Sequence, residues 1–209
     1  MTRFLFWFQI VMAYLFSIPL IINIYNGKVE GLTQAMFVIF LVFMTMGFSL
    51  ALSSYRESRS EIRLQTLVIF CNWLILNAII VSMGFYTISW SNADSVFTLL
   101  IALFSLVTII KYKGIKNPMS RGWILIWCKA LPQLWLTYTM IFVYHSASGL
   151  AFATVIAGHM TSLPRILQIF LSGKKEGWDG PTKSLLIGES ANVTTWWIVT
   201  FAWCYLSLV

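Results

Sequence analysis

Long unbroken apolar stretches, interrupted only by short polar or charged clusters, recur from one end of this chain to the other. A bilayer's hydrocarbon core is about 30 Å thick and a helix rises about 1.5 Å per residue, so one crossing consumes about 20 residues. Cutting the chain at its clusters gives seven candidate spans: 4–26, 31–53, 64–88, 93–111, 121–144, 147–171 and 188–208. These and their short loops fill the 209 residues and leave no room for a soluble domain. Composition agrees, with 59% hydrophobic and 10% charged residues, where a soluble domain carries roughly a quarter charged. The runs are continuous rather than alternating, which argues against an outer-membrane barrel. The expected fold is an all-α polytopic membrane protein with seven transmembrane helices.

The net charge of +7 is explained by membrane topology, and no nucleic-acid partner is expected. Arg3, Arg56, Arg59, Arg63, Lys111, Lys113, Lys116, Arg121, Lys174, Lys175 and Lys183 fall on one face of the segmentation, and Lys28 alone falls on the other. By the positive-inside rule the rich face is cytoplasmic, with the N-terminus inside and the C-terminus outside. The expected location is the cytoplasmic, or inner, membrane. The first apolar run, through Ile24, is too long for a signal peptide, and no small-residue cleavage site follows it. Cys71, Cys128 and Cys204 all sit in apolar runs and read as inert thiols rather than a disulfide framework.

The two halves of the chain repeat a pattern. Ser17-Ile-Pro19-Leu-Ile-Ile-Asn23 closes span one, and Lys28-Val-Glu-Gly31-Leu32-Thr33 opens span two. Span five holds Ala130-Leu-Pro132-Gln133-Leu, and Ser146-Ala-Ser148-Gly149-Leu150-Ala151 opens span six. Each half thus reads as a proline-bearing helix, a short turn with Gly-Leu, and two further helices. The predicted organisation is 3+1+3, with a first bundle over 1–90, a linker helix over 91–113 and a second bundle over 114–209. Internal repeats of this sort are common in transporters.

At these residues the chain resembles the PQ-loop superfamily, which includes the SWEET-like sugar facilitators. Pro132-Gln133 matches that family's motif, Pro19-Leu20 lacks the Gln, and Pro164-Arg165 is a further degenerate copy. The charges give an orientation opposite to the usual N-out arrangement of SWEET proteins. The resemblance implies two three-helix units around a linker helix, with an asparagine on the third and the seventh helix lining a central pocket.

Asn72, Trp73 and Asn77 on span three, with Asn192, Trp196 and Trp197 on span seven, are the most informative constellation. Trp73 and Asn77 are four apart, as are Asn192 and Trp196, so each pair shares a helix face. An amide beside an indole offers hydrogen bonds and a flat apolar wall, which suits a ring bearing hydroxyls; the same amides also serve as interhelical glue. Lys129 and Arg165 lie within spans, about 12 to 13 Å from the nearest basic clusters. They read either as a cationic vestibule for a polar or anionic substrate, or as partners of Glu189 or Asp179, or as snorkelling side chains. His159 is the embedded group with a reference pKa near neutrality, and it reads as either a packing residue or part of the substrate site.

All seven acidic residues are expected in loops or at span ends, which leaves no mid-membrane carboxylate as an ion relay and favours uncoupled movement. Metalloprotease, P-loop and paired-cysteine motifs are absent from the sequence, so no enzyme activity, metal or cofactor is expected. The expected function is an uncoupled facilitator of a small polar solute (a sugar, a nucleoside or a vitamin-like molecule) by alternating access, with Pro19, Pro132 and Pro164 as hinges. The alternative is a non-transporting membrane receptor or assembly protein on the same fold.

Overall fold

The computed structural model describes residues 3–208 and, within them, every side chain but those of residues 172, 175, 176 and 181. The side chains of Lys175 and Glu176, counted above among the loop charges, therefore lie outside the described residues. All regular structure among the described residues is helical: α1 (Arg3–Tyr25), α2 (Gln34–Glu57), α3 (Glu61–Thr87), α4 (Asn92–Lys111), α5 (Pro118–Leu125), α6 (Leu131–Tyr138), α7 (Phe152–Glu176) and α8 (Gly180–Leu208). A wider π turn, Ile126–Ala130, joins α5 to α6 and a second, Thr139–Tyr144, extends α6, giving one rod over 118–144. Helices α1 to α4 are each long and apolar enough to cross a membrane, which fits an integral membrane protein.

Local chemistry explains where these helices begin. Ser60 Oγ accepts from the Arg63 N–H at the start of α3, and Asn117 Oδ1 accepts from the Met119 N–H ahead of Pro118. Ser91 and Asp94 form a reciprocal capping box at the start of α4. The π turn ahead of Pro132 carries the Leu131 N–H to the Ile126 carbonyl, five residues back. Widening the helix there relieves the proline ring's conflict with the preceding turn.

The last boundary corrects the sequence reading. Helix α8 begins at Gly180 rather than at 188, because Asp179 caps it: its Oδ1 accepts from the Thr182 N–H at 2.7 Å. Hydrogen bonds from Thr182 hold the Asp179 carboxyl below the usual range. Helix α7 likewise continues to Glu176 rather than stopping at 171. As a consequence Glu189, expected at a span end, lies well inside α8 and is 4% exposed.

Six rods close into a ring. α3 packs on both α1 and α2, α8 on both the 118–144 rod and α7, and the circuit closes through α1 with α7 and α2 with the rod. α4 stands outside, against α2 and α5. Asp94 fixes it there, accepting from Thr33 Oγ1 at 2.8 Å and from Trp135 Nε1 at 2.7 Å, while Phe97 stacks on Trp135.

The two ends of the ring differ. At one end Arg3 pairs with Glu61 and Lys116 with Glu57, both in exposed positions. At the other, the loops after α1 and before α7 lock together: the Gly149 N–H donates to the Glu30 carbonyl, Thr139 Oγ1 to the Gly31 carbonyl, and Asn23 Nδ2 to the Gly149 carbonyl. Gly31 has φ +83, and a Cβ there would run into the Ser146 carbonyl oxygen, so only glycine allows this approach. Beneath the loops a core of Leu20, Ile24, Leu32, Ile80, Leu136, Met140, Leu150 and Val199 fills that end.

Candidate functional site

A cavity of about 420 Å³ occupies the middle of the ring and is lined from all six of its rods. It runs from Ser54, Thr66, Arg121 and Leu185, near the end with the exposed Arg and Lys pairs, to Phe37, Gly158 and Trp196, which abut the core sealing the far end. The cavity therefore reaches toward the basic end and is closed toward the other.

The inner wall is aromatic. Phe16 on α1 meets both Trp73 of α3, at 5.6 Å between centroids, and Trp196 of α8, at 5.9 Å. Phe40 on α2 packs against Trp73 at 6.1 Å. Trp196 is held rigidly, donating from Nε1 to the Val155 carbonyl at 3.0 Å while its ring lies over Gly158. A Cβ at Gly158 would overlap the indole, so the close α7–α8 approach depends on that glycine. Rings fixed in this way present flat apolar faces without a large entropic cost on binding.

Facing them is a polar network built almost entirely from the 118–144 rod, α7 and α8. Gln133 Nε2 donates to Asn192 Oδ1 at 2.8 Å, and Thr195 Oγ1 donates to Gln133 Oε1 at 2.6 Å. Asn192 Nδ2 donates to Ser162 Oγ and to Glu189 Oε2, each at 3.2 Å. Glu189 is ion-paired twice, with Lys129 Nζ at 3.6 Å through Oε2 and with Arg165 Nε at 3.9 Å through Oε1. Buried charge is costly unless paired, and this pairing is what lets a carboxylate sit inside the ring.

The sequence-predicted residues divide between wall and packing. Trp73, Asn192, Trp196, Lys129 and Arg165 line the cavity, as does Pro132. Asn77 lies outside the lining and donates to the Phe37 carbonyl at 3.3 Å, tying α3 to α2. Asn72 is likewise outside it, with Nδ2 lacking a partner among the described residues. His159 turns away from the cavity, its Nε2 2.8 Å from Thr200 Oγ1 and its ring 4.3 Å from that of Trp197. Pro19 and Pro164 sit inside α1 and α7. Of the two partners weighed for Lys129 and Arg165, Glu189 takes both.

Sequence reasoning missed Gln133 as a wall residue, along with Phe16, Ser162 and Glu189, and missed Thr195, which holds Gln133 from behind the wall. Gln133 and Thr195 carried a signal, since each lies on an otherwise apolar span and must find partners. Phe16 carried none among so many aromatic residues. No protein-family model matches the chain, and neither do the curated proteins or the solved structures.

Proposed function

We propose that this chain is a membrane transporter that carries a small polar solute by alternating access between two three-helix units. The observation that carries the reading is the central cavity, roomy, lined from six rods, mainly apolar with an aromatic inner wall facing a hydrogen-bonded polar network, and closed at one end by interlocked loops. A receptor or assembly scaffold on the same fold has no need of an interior polar chamber. In this reading α1, α2 and α3 form one unit and the 118–144 rod, α7 and α8 the other, joined by α4. All seven rods cross the membrane, the basic end is cytoplasmic, and the C-terminus is outside.

Movement in this proposal is uncoupled, on a ground different from the one the sequence offered. The expectation of no interior carboxylate is overturned by Glu189, the one acidic side chain among the described lining residues. Both of its oxygens are engaged by Lys129, Arg165 and Asn192 of the same chain rather than left open to a travelling ion. Pro19, Pro132 and Pro164 supply the bending points, since each removes a backbone hydrogen bond within its rod.

Uptake into proteoliposomes, screened over sugars, nucleosides, vitamins and amino acids, tests the reading. Saturable entry of at least one class, stopping at equal concentrations inside and out, is the expected result. Uptake that runs uphill under an imposed proton or sodium gradient, and that Glu189→Gln or His159→Gln abolishes, would replace the facilitator with a coupled carrier.

A further inference from the structure

The charge inside the cavity does not balance. Among the described residues three cationic side chains line it, Arg121, Lys129 and Arg165, against the single carboxylate of Glu189. Arg121 makes no ion pair with a described residue, and it lines the same cavity as Arg165. Arg165 meets Glu189 through Nε at 3.9 Å, its side chain lines the cavity and is 53% exposed overall, and no hydrogen bond from its terminal amino groups reaches a described residue. A guanidinium in this state offers its paired N–H donors to a planar or tetrahedral anion. Lys129, by contrast, is 19% exposed and committed to Glu189.

We infer that the transported solute is a small organic anion, bearing one carboxylate or phosphate group that binds Arg165 and Arg121 and a flat apolar body that lies against Phe16, Trp73 and Trp196. This rests on the carrier reading and names its substrate class. An excess of positive charge in a low-dielectric chamber is unfavourable, and a solute of opposite sign removes it. Glu189 then serves as a stand-in anion: it neutralises Lys129 and steadies Arg165 while the cavity is empty, and its presence keeps the chamber from binding anions too tightly to release them. The aromatic side excludes inorganic anions as the preferred cargo, because they leave those faces uncovered.

Equilibrium dialysis of radiolabelled 2-naphthoate, 2-naphthyl phosphate, 2-naphthamide and 2-naphthylmethylamine against the full chain in neutral detergent tests this. Either or both anions are expected to bind at least tenfold more tightly than the amide, and the amine more weakly still; which anion leads identifies the carboxylate or the phosphate as the group read. Arg165→Gln is expected to abolish the preference for anion over amide, Arg165→Lys to keep part of it, and Glu189→Gln to enlarge it. Equal binding of amide and carboxylate, or an unchanged preference in a folded Arg165→Gln protein, would overturn the inference while leaving a carrier of neutral solutes standing. Binding of the anion without its passage into vesicles would instead overturn the carrier reading.

Discussion

Gln133 and Asn192, on rods that belong to the same half of the ring, bond directly through their side-chain amides, Nε2 to Oδ1 at 2.8 Å. The pair fixes the orientation of both amides. Thr195 occupies the other end of Gln133, and Ser162 and Glu189 occupy the other end of Asn192. Nothing in the network is left to chance rotation, so the wall it forms is preorganised.

Removing Asn192 leaves Gln133 Nε2 without a partner in a buried place, whereas Ser162 keeps its bond to the Gly158 carbonyl and Glu189 its ion pairs. Asn192→Ala is expected to cost about 1–3 kcal/mol for the group left unsatisfied, read as a lowered melting temperature in detergent. Asn192→Asp is expected to be worse, because it sets a second carboxylate beside Glu189.

Glu189→Ala strands Lys129 and Arg165. Breaking a buried ion pair from one side costs about 3–5 kcal/mol, less here because Arg165 is half exposed and can rehydrate. The double replacement Lys129→Met with Glu189→Ala is expected to recover part of the loss, measured as a coupling energy in a double-mutant cycle of thermal stability.

The interlocked loops at the closed end rest on a left-handed glycine. Gly31→Ala is expected to weaken that end by pushing the Ser146 carbonyl away. Amide hydrogen exchange over residues 26–34 and 145–151 should rise several-fold, with α3 and α4 unaffected.

The all-helical class and helices α1 to α4 were legible because lipid forces helices to satisfy their own backbones, so hydrophobic length alone marks these four. The α8 boundary was harder. Lys174 to Lys183 read as one charged loop, although Asp179-Gly180-Pro181 carries the cap and early proline of a helix start. Missing that start moved Glu189 to a helix end and hid the one acidic side chain among the described lining residues. Helix-face spacing placed Asn192 with Trp196 correctly, since both line the wall. The same spacing paired Asn77 with Trp73, but neighbouring α2 takes the Asn77 amide. Face sharing fixes direction on one helix and is silent about which neighbour lies there.

Topology has its own test. A reporter fused after Val209 is expected to be active only outside the cytoplasm, because Lys28 stands alone at the end opposite the basic clusters. Cytoplasmic activity would remove one crossing from the proposal.

Alternation of the cavity between the two membrane faces is the central claim, and Met36 reports on it most directly. Met36 lines the cavity and also belongs to the core that seals the far end. With Cys71, Cys128 and Cys204 replaced by serine or alanine, Met36→Cys in sealed vesicles is to be treated with a membrane-impermeant thiol reagent, added separately to each face. Labelling from both faces is the expected result, faster from the basic end, where the cavity already reaches. Labelling from the basic face alone, with none from the other over many hours, would contradict alternating access and leave a one-sided binding chamber.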